Sequence, residues 1–180
     1  KLVFTFLNYA KLLKPEWIMM ENVPGIVNLD DGYFINILLK NINKLGYKNC
    51  EYKIINTADY GGPQKRKRFI LLANRLGLTI PWPKPKYFEN PKDWQLPYRS
   101  IKEVISDLDK IKSYDDFHNH IPMKHAKDVI KRFSYIKEGK KLEPNDLPKN
   151  LQYSKLGNKI KSYSKVFFRL DRNLPSPTLV

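Results

Sequence analysis

Four consecutive uncharged apolar residues, Trp17-Ile18-Met19-Met20, lie between two stretches with helical spacing, and this arrangement limits the folds open to the chain more than any other feature. Before the run, Phe4, Leu7, Ala10 and Leu13 fall at helical spacing. Lys14-Pro15 closes that helix, because a residue ahead of proline is pushed out of the helical region. After it, Phe34, Ile35, Leu38, Leu39, Ile42 and Leu45 form a broad apolar stripe, with Asp30 or Asp31 placed to cap its start and Gly46 to stop its end. A short, wholly apolar run in this setting predicts a strand buried on both faces of a mainly parallel sheet. Two more strands are expected over Tyr52 to Asn56 and Phe69 to Ala73, joined by a loop from Thr57 to Arg68 and paired antiparallel, with Phe69 to Ala73 also covering one edge of the Trp17 to Met20 strand. Helix, strand, helix, strand, strand is the grammar of an α/β protein.

The texture changes at Pro81. Pro81-Trp82-Pro83-Lys84-Pro85 is stiff and extended, and Pro91 and Pro97 keep the chain irregular, so the boundary between residues 1–80 and 81–180 is placed there. Beyond it, Ser100 can cap a short helix through Leu108, and a second helix is expected from Met123 to Ile136. Lys137 to Lys165 is rich in Lys, Asn and Pro, with weak periodicity. The 180 residues suffice for one compact domain, or a small domain plus an appendage. No stretch approaches the roughly 20 apolar residues of a membrane span. The opening Lys1-Leu2-Val3-Phe4 lacks both Met and a signal-peptide pattern, and reads as a segment of something longer. The single Cys50 leaves no disulfide framework and suits a reducing compartment.

Charge is unevenly spread. The net +15 is nearly absent from residues 1–60, which carry seven Lys/Arg against six Asp/Glu, while residues 121–180 carry fourteen against five. Lys65-Arg66-Lys67-Arg68 adds a dense basic run. A neutral front and a basic back suggest a catalytic-type core joined to a region that grips a polyanion; the plainer alternative is ordinary surface lysine.

Two segments carry residues suited to chemistry. In Met20-Glu21-Asn22-Val23-Pro24-Gly25, a buried strand would deliver a carboxyl and an amide to its carboxyl end, where open α/β sheets bind ligands. Apolar walls around Glu21 would raise its pKa and suit it to donate a proton, with Asn22 beside it to read a heterocycle edge. The alternative is a Glu that merely caps the next loop. In Asp59-Tyr60-Gly61-Gly62-Pro63-Gln64-Lys65-Arg66-Lys67-Arg68, a tight turn leads into a strand. Alternation would put Gln64, Arg66 and Arg68 on one face, and Lys65 and Lys67 on the other. Three planar hydrogen-bonding groups on one face suit a base carbonyl, a carboxylate and a phosphate; the alternative is a solvated basic edge strand.

In this order, and with this secondary structure, the segments resemble the cytosine-5 DNA methyltransferases. Lys14-Pro15 through Val23 resembles the sixth conserved block of that family, and Asn56 through Ile70 its eighth. Arg169-Leu170-Asp171 through Pro175-Ser176-Pro177-Thr178-Leu179 is similar to the ninth, and Trp82 to Pro85 with Ser100 to Leu108 matches the usual approach to the target-recognition region. The resemblance implies that residues 1–80 are the C-terminal part of a class I S-adenosylmethionine-dependent methyltransferase sheet, and that residues 81–180 are a linker and an irregular mixed target-recognition region.

The implied reaction is methyl transfer from S-adenosylmethionine to C5 of a cytosine flipped out of duplex DNA. By resemblance, Glu21 meets the base at N3 and Asn22 holds the surrounding loop. Arg68 faces the base O2 or the nucleophile, Arg66 pairs with the nucleotide phosphate or with Glu21, and Gln64 supports the loop. Lys65 and Lys67 would add DNA contacts. The chain departs from the family pattern in two respects: the Pro-Cys dipeptide that carries the nucleophile, and the glycine-rich turn for the cofactor, do not occur in it. Cys50 lies on the wrong side of the Glu-Asn-Val block and reads as a half-buried structural thiol. The expectation is therefore an excised segment or one piece of a split enzyme, inactive alone. Its parent would belong to a restriction–modification system in the prokaryotic cytoplasm, associated with the nucleoid.

The same family resemblance leaves a tRNA methyltransferase of this fold as one rival, and a non-catalytic recognition subunit of a split methyltransferase as another. His118, His120 and His125 lack partners at ligand spacing and read as a solvated loop rather than a metal site. In the family, the strand from Trp17 to Met20 has a neighbour supplied from upstream. Without it, an apolar edge is left open, and self-association through residues 16–21 or the helix of residues 3–13 is expected.

Overall fold

The first eighty residues follow the expected order, with one two-residue strand added. Helix α1 (Leu2–Leu13) leads to strand β1 (Trp17–Asn22), helix α2 (Tyr33–Lys44), strand β2 (Asn49–Asn56), the short β3 (Gln64–Lys65) and strand β4 (Lys67–Asn74). A computed structural model describes residues 2–108, 123–143, 146–152 and 167–178. The chain divides into two units, one of residues 1–61 and 65–96, the other of residues 62–64 and 97–180.

In the first unit, β4 is the central strand of a three-stranded sheet ordered β1-β4-β2, and both pairings are antiparallel. The β2–β4 pairing is the expected one, and no parallel pair occurs in this sheet among the described residues. A parallel partner needs a crossover of about a dozen residues or more, and the chain between β2 and β4 is too short for one. Nor is β1 buried on both faces. Ile18 and Met20 are buried, whereas Trp17 and Met19 are exposed on the other face, Met19 to 65%. The two helices lie on the Ile18 side only. Leu7 and Ala10 of α1 and Leu38 and Ile42 of α2 pack there with Phe69 and Leu71 of β4. Among the described residues, β1 pairs with β4 on one side and with no strand on the other.

Helix α2 starts differently from the expectation. Asp30 and Asp31 do not cap it; both adopt left-handed backbone, and Gly32 at φ 83° stands at the N-cap. The 3-10 stretch Pro24–Gly32 has to turn sharply into α2, and short Asp side chains tolerate that geometry. At the other end Gly46, at φ 93°, donates to Asn43 O at 2.9 Å and stops the helix as expected. Tyr47 follows and is fully buried. Its hydroxyl donates to Pro15 O at 2.7 Å, and the Arg75 guanidinium sits over its ring at 5.6 Å, so the two helix–strand junctions brace each other. Burial raises the Tyr47 pKa, against an opposing pull from Arg75.

Phe69 lies at the centre of this core with no exposed surface, its ring 5.1 Å from that of Tyr52. Phe69→Ala is expected to destabilise the chain by about 3–5 kcal/mol, through lost transfer energy and the cavity left behind. That is a large share of the roughly 5–15 kcal/mol a domain holds in reserve, and a urea titration followed by circular dichroism checks it. A loss below about 1 kcal/mol would show that the core does not close around this ring.

Past β4 come two short strands, β5 (Tyr87–Phe88) and β6 (Leu96–Pro97), and Leu96 N–H donates to Lys86 O at 3.3 Å. Pro81 to Pro85 belongs to the first unit. In the second unit, Ser100 caps α3 (Ile101–Ile105) as expected. Its hydroxyl accepts from Glu103 N–H, while the Glu103 carboxylate accepts from both the N–H and the hydroxyl of Ser100, and the two bonds to the carboxylate hold Glu103 below the usual carboxylate range. The second expected helix is the shorter α4 (Lys127–Ser134). The terminal β7 (Ser176–Pro177) is held by Ser176 N–H donating to Pro63 O at 2.8 Å. Residues 153–165 of the weakly periodic tract, and His118 and His120, lie outside the described residues.

Candidate active site

The carboxyl end of β1 brings two of the sequence-predicted residues together. The antiparallel register sets Glu21 opposite Ile70 and Asn22 opposite Phe69. Two residues before Ile70, Arg68 shares the face of Glu21. Its Nε lies 2.7 Å from Glu21 Oε1. Arg68 is only 17% exposed, and its Nη1 also donates to Lys67 O at 2.9 Å, so the guanidinium is held from two sides. Glu21 is 53% exposed. The apolar walls expected around its carboxyl are therefore not what surrounds it; the antiparallel register places it on the open face of the sheet, against a cation. The partner of Glu21 is Arg68 rather than Arg66.

Asn22 points along the other face. Its Oδ1 accepts from Val23 N–H at 2.8 Å, which fixes the first bend of the loop. Beside it opens a cleft of about 490 Å³, walled mainly by Val23, Ile26, Leu29 and Phe34.

The basic run is divided by its surroundings. Lys65 and Lys67 are exposed while Arg66 and Arg68 are half-buried, an alternation in line with the strand pattern. Lys65 pairs with Glu89, which takes up part of its charge within the first unit. Arg66 supplies its carbonyl to Thr57 N–H at 3.0 Å. Gln64 belongs to the second unit, where its Nε2 donates to Pro177 O at 3.3 Å. Glu89 was not foreseen, nor was the brace beneath the loop, where Asn56 Nδ2 donates to Asp59 Oδ1 at 3.0 Å. An Asn heading a tight turn is the signal that could have found it. Gly61 sits at φ 90°, and a Cβ there would lie 2.8 Å from the Tyr87 ring, so this turn requires glycine.

Cys50 is half-buried on β2, opposite Ala73. Burial, with Glu51 adding to it, pushes its thiol up to about 11, so it is a neutral thiol at pH 7 and no nucleophile. No group of metal-ligating side chains occurs among the described residues, and His125 stacks edge-on against Phe133. No helix among them is long and apolar enough to cross a membrane.

The first unit is thus of mixed α/β class, with a Glu–Arg pair at the end of one strand, and a loop-rich second unit accompanies it. Residues 1–176 match the profile of the C-5 cytosine-specific DNA methylases, and the chain belongs to that family. It is 29% identical over 191 residues to the type II methyltransferase M1.HgaI of Avibacterium volantium, a match covering 99% of this chain and 48% of that one. To the type II methyltransferase M1.HphI of Haemophilus parahaemolyticus it is 28% identical over 149 residues, covering 82% and 37%. The chain thus spans about half, or less, of these relatives. Among solved structures, a protein described as a DNA modification methyltransferase encoded within an E. coli prophage superposes with a TM-score of 0.56 at 20% identity. That match covers 97% of this chain and 55% of the other, and supports the fold.

Proposed function

We propose that this chain is the base-reading part of a DNA cytosine-5 methyltransferase of the restriction–modification type, whose whole protein transfers a methyl group from S-adenosylmethionine to C5 of a flipped-out cytosine. The Glu21–Arg68 pair carries the reading. One carboxylate oxygen is anchored at 2.7 Å by a guanidinium that is itself held, while the group remains half exposed. A carboxyl fixed in that way can meet the N3–N4 edge of cytosine, taking a hydrogen bond from the exocyclic amine and supplying or sharing a proton at N3. Asn22 keeps the loop in place, Arg66 and Arg68 face the nucleotide, and Gln64, Lys65 and Lys67 belong to the DNA-facing surface. The cofactor is a different matter. The cleft beside Asn22 offers apolar walls and an amide whose oxygen is already engaged, with no carboxylate for ribose hydroxyls. These residues alone do not fit S-adenosylmethionine, so its binding falls to the remainder of the whole protein, and this chain alone is inactive. Transfer of a labelled methyl group by the full-length protein, to duplex DNA but not to tRNA, is the test; labelled tRNA with unlabelled DNA would overturn the substrate.

The unpaired edge of β1 bears on partners. Trp17 and Met19 lie exposed on the outer face beside it, and Leu12 and Leu13 of α1 are exposed too. Edges and apolar surface of this kind favour pairing with another chain. The isolated chain is expected to be a two-fold dimer at micromolar concentration by light scattering, joined through residues 16–21 or α1. A monomer whose residues 16–21 are protected from hydrogen exchange would sink this.

A further inference from the structure

The second unit holds a cleft of about 400 Å³ that no residue role above uses. It runs beside α3, and its lining includes the apolar Ile105 and Leu170 with the charged Lys102, Arg169, Arg172 and Glu138. Backbone bonds create this cluster from distant parts of the sequence. Lys102 N–H donates to Arg172 O at 2.9 Å, and Ile101 N–H to Leu174 O at 3.1 Å, which stitches the start of α3 to the turn that follows Leu170. The arginines are pre-placed. Arg169 Nη2 donates to Phe133 O at 2.8 Å, while Arg172 Nε reaches both oxygens of Glu138, at 2.9 and 3.1 Å. Glu138 also accepts from Arg172 N–H at 2.8 Å.

Three cations against one carboxylate leave the cleft with a positive excess, and the pairing with Glu138 leaves Lys102 and Arg169 to supply it. Clefts lined by one sign of charge concentrate counter-ions. Guanidinium and ammonium groups above apolar side chains suit a tetrahedral anion attached to a compact apolar body. We propose that this cleft receives a backbone phosphate of duplex DNA, with the adjoining deoxyribose against Ile105 and Leu170, and that Glu138 tempers its grip by sharing Arg172. The assignment rests on the DNA reading above. It adds a register contact, one that positions the duplex and reads no base.

The two sides of the cleft give opposite expectations. Lys102 has an exposed side chain that makes none of the bonds holding the unit. Lys102→Gln in the 180-residue chain should reduce the slope of log affinity against log salt by about 0.9, the value of one lost phosphate contact, and weaken binding several-fold at low salt. Glu138→Gln keeps an oxygen to accept from Arg172 N–H but removes the competing charge. It should tighten binding by about fivefold, the effect of one unit charge about 4 Å away in water. Fluorescence anisotropy with a labelled duplex measures both, on variants whose circular dichroism matches the parent chain. If the parent chain binds no duplex in a salt-dependent way, the DNA reading fails and this assignment with it. If it binds, but Lys102→Gln keeps the full slope or Glu138→Gln weakens binding, the cleft assignment alone falls. Competition by polyglutamate as effective, per charge, as duplex would overturn it in favour of an acidic polypeptide.

Discussion

Glu21→Gln in the full-length protein is expected to lower the rate of methyl transfer by about 10²–10⁴, the range for a lost acid–base group, while leaving DNA affinity largely intact. The substitution is sharp because it keeps shape and removes only charge and proton. A glutamine oxygen can still accept from Arg68 Nε, where the carboxylate now sits at 2.7 Å. Stability should barely move: an ion pair with one partner half exposed is worth no more than about 1 kcal/mol. Loss of turnover therefore cannot be confused with loss of fold. Arg68→Lys gives a second arm, since a point charge cannot reproduce the two-sided hold of the guanidinium on Glu21 and Lys67 O. A Glu21→Gln enzyme within threefold of the parent rate would end the assignment.

Binding of the isolated chain to duplex DNA should be weak, indifferent to sequence and steeply dependent on salt. The positive excess over residues 121–180, fourteen basic against five acidic, provides the attraction. Engagement of about five phosphates gives a slope near −4.5, so a fourfold rise in salt weakens binding about 500-fold. The Lys65–Arg68 run adds less than its sequence suggests, because Lys65 is already paired with Glu89. Titrations at several salt concentrations with two unrelated duplexes check this. A flat salt response, or tenfold preference for one duplex, would contradict it.

Much of the first unit could be read from residue order because its information is local. Helical spacing marked α1 and α2, and the β-rich runs marked β2 and β4. What escaped the sequence was the one-sided burial of β1. A run of four apolar residues looks the same whether both faces are buried or one is left open, and only the register with β4 shows Trp17 and Met19 exposed. The partner of Glu21 was hidden for the same reason, since it depends on which β4 residue lies two places from Ile70. Asp30 and Asp31 looked like caps because their composition suits one, yet the turn before α2 needed their tolerance of left-handed backbone instead. In the second unit, Lys102, Glu138 and Arg172 meet through contacts spanning 34 or more residues, and no spacing rule reports those.

The alternation of β1 separates two kinds of inheritance on one strand. Ile18 and Met20 face the helices, whereas Trp17, Met19 and Glu21 face away from them. Replacements at the even positions act on whether the chain folds; those at the odd positions act on what the folded chain meets. Each set can drift without dragging the other along. A lineage could therefore rebuild its outward contacts one odd residue at a time, on a scaffold whose stability those steps leave almost untouched.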